Sequence, residues 1–186
     1  MTVKPVFVTG NMNKVAALGN WLGFELNHHK LDLDELQELD PYVVVDHKAR
    51  QAYQILNVPV LVEDISLDFL ALGRLPGTYI KWFLEELKTE GCCKLLDGFT
   101  DRSAQSRVIY AYFDGKDMQI FDAVVKGSVP DSPRGSNGFG WDALFVPDGS
   151  DMTYAELNQA ENNENYSHLS VRNQAVKKLK IFLDKS

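Results

Sequence analysis

Val6-Phe7-Val8-Thr9-Gly10-Asn11-Met12-Asn13-Lys14 runs a short apolar strand into a tight polar turn, with a lysine one helical turn later. Beyond it Val15, Leu18, Trp21 and Leu22 recur at helical spacing, so the stretch reads as a strand–turn–helix unit. A helix start carries N–H groups without intrahelical partners and the positive end of the helix dipole. Gly10 lets a ligand approach the backbone closely, while Thr9, Asn11 and Lys14 add side-chain donors. Together these make a phosphate cradle. The spacing is neither that of a Walker loop nor that of a dinucleotide-binding glycine turn. Taken alone, the unit is also what an ordinary strand-to-helix turn looks like.

Working outward, a polar, acidic segment from Leu31 to Asp40 leads through Pro41 to a second helix bearing Ala49, Ala52, Tyr53 and Leu56 on one face. Pro59-Val60-Leu61-Val62 has the look of a buried strand that ends on Glu63-Asp64. The loop Gly73-Arg74-Leu75-Pro76-Gly77 precedes a helix with Tyr79, Phe83, Leu84 and Leu87 in register. Ser103–Phe113 and Met118–Lys126 are rich in strand formers and joined by Asp114-Gly115-Lys116-Asp117, a hairpin signal. A long Gly/Pro/Ser-rich loop, Pro130 to Gly140, is followed by a strand at Ala143-Leu144-Phe145-Val146. The last helix buries Val176, Leu179 and Phe182 or Leu183 and turns Lys177, Lys178 and Lys180 outward. Alternating strands and helices at the front with a hairpin in the middle specify an α/β fold: a mixed sheet flanked by helices.

The 186 residues suit one domain, with or without two lobes. No apolar run approaches the roughly 20 residues of a membrane helix, and Met1-Thr2-Val3-Lys4-Pro5 lacks the apolar region and cleavage site expected of a signal peptide. The adjacent Cys92 and Cys93 are ill placed to bridge each other, and two cysteines make no zinc site, which points to a reduced, cytoplasmic protein. A net charge of −7 disfavours nucleic acid as a partner but leaves room for a small anion held by local lysines and a metal.

Four further places could carry chemistry. Asp64 stands where α/β folds put ligand-binding carboxylates and could hold Mg²⁺, or it could simply cap a helix. Glu35 belongs to an acidic run, Asp32, Asp34, Glu35, Glu38 and Asp40, that by default is a solvated loop. Phe139-Gly140-Trp141-Asp142 offers flat faces and an acid to a base, or Trp141 plugs the core. Ser167-His168 stands at the mouth of the last helix, and a lone histidine is more often structural.

The set as a whole is specific. Thr9-Gly10-Asn11 and Lys14, Leu61-Val62-Glu63-Asp64, Ala71 to Gly77 with Tyr79-Ile80-Lys81-Trp82-Phe83, Phe139 to Asp142, Pro147-Asp148-Gly149, Thr153-Tyr154-Ala155-Glu156 and Ser167-His168 occur in this order. In that order they closely resemble the inosine triphosphate pyrophosphatase family, in its eukaryotic branch, over nearly the whole chain. The resemblance implies an elongated mixed sheet with two lobes around a nucleotide-binding cleft, and a homodimer. It implies hydrolysis of noncanonical purine nucleoside triphosphates (ITP, dITP, XTP) to the monophosphate and pyrophosphate with Mg²⁺, or with Mn²⁺ in its place. By position, Thr9, Gly10, Asn11 and Lys14 would hold the triphosphate, and Lys48 and Lys81 would line the same cleft. Glu35 would be a metal ligand, and Asp64 would bind metal or orient the attacking water, with Lys14 beside it as a catalytic cation. Phe139, Gly140, Trp141 and Asp142 would shape the base pocket and His168 would read the base.

The chain departs from the family pattern in several places. Leu169 stands where the family's Ser-His-Arg has arginine, and Asn162 where it has lysine. There is one extra residue between Glu161 and Ser167, and Arg74 replaces a glycine. A site that reads a keto group through buried donors discriminates by roughly 10⁴-fold, and an apolar replacement forfeits that. Either Arg172, one turn after His168 on the same helical face, replaces the lost guanidinium, or the base preference has drifted toward a weak or specificity-shifted homologue.

Overall fold

The computed structural model describes residues 4–159 and 164–185. In chain order the elements are β1 (Val6–Val8), α1 (Met12–Leu22), β2 (His28–His29), α2 (Pro41–Leu56), β3 (Val60–Phe69), β4 (Pro76–Gly77), α3 (Ile80–Lys94), β5 (Ser103–Phe113), β6 (Met118–Ser128), β7 (Val146–Pro147), α4 (Tyr154–Gln159), α5 (Glu164–Leu169) and α6 (Val171–Asp184). The strands make one mixed sheet in the order β2-β1-β3-β5-β6-β7, with β4 paired to β3. No helix among the described residues is long and apolar enough to cross a membrane.

The chain divides into two compact units, and β3, β5 and β6 contribute a segment to each. The first unit holds the chain up to Ile65, Val108–Ala123 and everything from Arg172 on. Within it β1 pairs in parallel with β2 (Phe7↔His28, Val8↔His29) and with β3 (Val6↔Val60, Phe7↔Leu61). Asp40 caps α2 by accepting from the Tyr42 N–H, and Pro41 opens the helix where a missing donor costs nothing. Val45, Ala49 and Ala52 of α2 then pack on Val8, Val60, Val62, Ile109, Ala111 and Phe113, which fixes one face of this part of the sheet. On α6, Phe182 meets Tyr112 edge-on, with ring centroids 5.0 Å apart.

The second unit comprises Ser66–Arg107 and Val124–Val171. There β4 lies antiparallel to β3 and β7 antiparallel to β6 (Gly127↔Pro147, Ser128↔Val146). Arg102 ties three carbonyls together, those of Val129, Cys93 and Pro130, each at 2.9 Å.

Three expectations need correcting. The strand opening at Val60 does not end on Glu63-Asp64; it runs on to Phe69, so both acids lie inside it. Ala143 and Leu144 belong to a single 3₁₀ turn, Asp142–Leu144, and the strand that follows is only Val146–Pro147. On α3 the buried residues are Ile80, Cys92 and Cys93, while Leu87 is exposed and the helix is broken at Lys88, whose φ is 58°.

Gly127 shows why residue identity matters in the β6–β7 pair. A Cβ there would collide with the Val146 carbonyl, a backbone atom that cannot rotate away. Gly19, inside α1, has open surroundings, the nearest atom being 3.8 Å from where a Cβ would sit. Gly127→Ala should therefore lose about 3 kcal/mol to overpacking. Gly19→Ala should gain roughly 0.5–1 kcal/mol from helix propensity. Urea unfolding of both variants checks the opposite signs.

Candidate active site

A strand turns successive side chains to opposite faces. Glu63 and Asp64 are neighbours inside β3, so they point to different sides of the sheet. Asp64 shares the side of Val60 and Val62, which α2 covers, and there Lys48 Nζ donates to Asp64 Oδ1 at 2.6 Å. On the other side Lys14 Nζ of α1 lies 3.3 Å from Glu63 Oε1. The Arg172 guanidinium of α6 donates to the same oxygen, also at 3.3 Å. Each acid is thus matched by cations from the helices covering its own face.

The environments push the two acids apart. Burial raises the Glu63 pKa, but Lys14 and Arg172 outweigh it and leave that carboxyl below its ordinary value. For Asp64 burial dominates Lys48 and Lys14, and the pKa is raised. Tyr110, fully buried beside Glu63, is driven well above its ordinary value by burial first and by the Glu63 charge next. The two adjacent carboxyls are thus shifted in opposite directions, and such opposed shifts are a feature found at functional sites.

One oxygen on each acid, Glu63 Oε2 and Asp64 Oδ2, is buried without a hydrogen-bond partner. Such orphaned atoms are uncommon and call for an explanation. At Asp64 a divalent metal is one that fits, since Mg²⁺ takes oxygen ligands and commonly uses one or two carboxylates, water and substrate phosphate; Glu63, on the other face, is not placed to share it. Among the described residues there is no group of three or more acids, histidines or cysteines suited to a metal. Glu35, expected as a ligand, is an exposed residue of the loop before α2.

At the front of α1 the geometry modifies the expectation of a phosphate cradle. The Asn11 side-chain oxygen already accepts from the N–H groups of Asn13 (3.0 Å) and Lys14 (3.4 Å), and the Asn11 N–H donates to Thr9 Oγ1 at 3.1 Å. Two of the helix donors are therefore capped in the free protein. Positive side chains must supply more of the attraction than the bare helix end would.

The remaining expected residues belong to the second unit. Asp142 is buried and its Oδ2 accepts from the Phe139 N–H at 2.9 Å, which closes the glycine-rich loop on itself. Trp141 is 4% exposed and packs on Phe145 and Tyr154 at 5.8 and 5.9 Å, so its ring is part of the core. Phe139 is half-buried and Gly140 exposed. Lys81 is exposed at the first turn of α3, with its ammonium 4.9 Å from the Trp82 ring centroid.

The sequence model of the Ham1 family matches residues 5–182. The chain belongs to the Ham1 family. It is 45% identical over 183 residues to a protein named inosine triphosphate pyrophosphatase in Yarrowia lipolytica, covering 96% of this chain and 94% of that one. A protein of the same name in Schizosaccharomyces pombe is 40% identical, with the same coverage of each chain. Among solved structures, the Ham1 protein of Coxiella burnetii superposes with a TM-score of 0.83 at 23% identity, covering 99% of this chain and 100% of that one. The Staphylococcus aureus Ham1 protein gives 0.78 at 24% identity, covering 98% and 99%. These two establish the Ham1 fold.

His168 and Arg172 do not share a helix, contrary to expectation. His168 is exposed on the short α5, while Arg172 is the second residue of α6 and buried against Glu63. Ser170, not Ser167, directly precedes α6, so Ser170-Val171-Arg172 sets a serine and an arginine at the Ser-His-Arg spacing with valine at the centre. Asn162 lies outside the described residues. Sequence reasoning passed over Glu63 as a member of the site. Its only signal was an acid beside Asp64 in an otherwise apolar run.

Removing one partner from a buried ion pair leaves the other charge stranded. Arg172→Ala should cost on the order of 3 kcal/mol in urea unfolding, and pairing Glu63→Gln with Arg172→Met should recover much of it. A loss below about 1 kcal/mol in Arg172→Ala would mean that Lys14 alone sustains the Glu63 charge.

Proposed function

We propose that this Ham1-family protein hydrolyses purine nucleoside triphosphates bearing nonstandard bases, releasing the nucleoside monophosphate and pyrophosphate. The observation that carries the reading is Asp64: a buried carboxylate with one oxygen clamped by Lys48 and the other unpartnered. The names of the 40–45% identical relatives supply the substrate class.

In this mechanism Asp64 Oδ2 orients a water for in-line attack on the α-phosphorus. A water-oxygen–phosphorus bond forms, the bond from phosphorus to the α–β bridging oxygen breaks, and pyrophosphate leaves with that oxygen. The water's proton passes to Asp64, whose raised pKa suits an acceptor. Lys14 neutralises phosphate charge, while Lys48 holds Asp64 in one rotamer. Asp64 and Glu35 are the residues assigned to hold Mg²⁺, with Mn²⁺ as an alternative, and the ion would neutralise charge on the phosphates. Thr9, Gly10, Asn11 and Lys81 are assigned to the triphosphate, and Phe139, Gly140, Trp141, Asp142, His168 and Arg172 to the base.

A second reading, a homologue with shifted base preference, is favoured by the valine in Ser170-Val171-Arg172 and by the Glu63 contact that engages Arg172. We also assign the protein to the cytoplasm and to a homodimer, in which the exposed apolar side chains Leu70, Leu75 and Trp82 offer surface for a second copy to cover.

Pyrophosphate release from ITP, XTP, dITP, ATP and GTP, with and without Mg²⁺, tests the function. A metal-dependent preference for ITP and XTP is expected, and equal rates on all five would favour the shifted reading. Asp64→Asn should lower kcat by roughly 10²–10³-fold with KM little changed. Because the Asp64 pKa is raised, kcat/KM should begin to fall on acidification at a pH above the ordinary carboxylate range. Undiminished activity in Asp64→Asn would remove this residue from the mechanism.

A further inference from the structure

The cradle at Thr9-Gly10-Asn11 has a cationic member that no motif identifies. The parallel pairing of β1 with β2 sets Val8 against His29, and the Thr9 N–H donates to the His29 carbonyl at 3.0 Å. This pairing delivers the next residue, Lys30, to the carboxyl end of both strands, the end at which open α/β sheets bind ligands. The side chain then lies across Gly10: its Cγ, Cδ and Cε are 3.2, 3.3 and 3.3 Å from where a Gly10 Cβ would stand. Glycine at this position is what lets the stem lie flat on the cradle backbone. The ammonium stands one bond beyond Cε. Lys30 is exposed, and among the described residues it has no carboxylate partner, whereas Lys14 and Lys48 each also pair with a buried acid.

We infer that Lys30 is a further triphosphate-binding residue, engaging the outer phosphates of the substrate at the mouth of the cradle. The inference rests on the triphosphate assignment proposed above and deepens it. Two of the α1 donors are capped by Asn11, so the cradle needs mobile positive charge, and a flexible lysine with a free head supplies it without reorganising the helix start. An outer-phosphate contact made equally in substrate and transition state changes binding and leaves the chemical step alone.

Two measurements on the full chain test this: calorimetric binding of inorganic tripolyphosphate, and steady-state kinetics on the nucleotide that the unmodified protein cleaves fastest. Lys30→Gln should weaken tripolyphosphate binding and raise KM by about 5–10-fold each, with kcat within about twofold, as expected for one charge-assisted contact. Lys30→Arg should restore most of the loss. Lys116→Gln, which removes the same charge from the exposed β5–β6 turn, should change neither quantity. If the unmodified protein cleaves no nucleotide yet binds tripolyphosphate in a Lys30-dependent way, the proposed reaction fails and Lys30 stands. Cleavage with Lys30→Gln indistinguishable from the unmodified protein, a kcat loss at unchanged KM, or no tripolyphosphate binding at all would overturn the assignment.

Discussion

Two adjacent carboxylates inside a buried strand are the constraint around which the first unit is arranged. A lone charge in such a place would neutralise itself or unfold its surroundings. The pleat resolves the problem by sending Glu63 and Asp64 to opposite faces, where different helices answer them. α1 and α6 bring Lys14 and Arg172 to one, and α2 brings Lys48 to the other. The placement of three helices and the ionisation of two acids are thus one arrangement seen from two sides.

The division of labour follows from unequal compensation. Glu63 has two cations on one oxygen and is held as an anion below its ordinary range; Asp64 has one close cation and is driven upward by burial. The first favours a fixed architecture and the second a group able to take a proton. The oxygens left unpartnered on both are a standing cost to the folded state, and such costs gather where a ligand relieves them. At the start of α1, Asn11 likewise satisfies two helix donors from within the chain.

Much of the fold was legible because it obeys local rules. The Val6–Lys14 unit, the second helix after Pro41 and the hairpin at Asp114–Asp117 each announce themselves by periodicity and turn residues. The apolar pattern stops short of the end of β3 because Glu63, Asp64, Ser66 and Asp68 interrupt it. Other features depend on distance rather than spacing. The Arg172–Glu63 contact joins residues 109 apart in sequence, and Lys30 meets Gly10 only through parallel strand pairing. Trp141 presented the same residues for a base platform or a core plug, and only its packing on Phe145 and Tyr154 separates the two.

The most direct measurement of the central claim is a carboxyl-carbon NMR titration of the two acids, assigned with Asp64→Asn and Glu63→Gln. Two resolved steps are expected, with Glu63 titrating below the ordinary carboxylate range and Asp64 above it. Both acids titrating together within that range, or in the reverse order, would contradict the account.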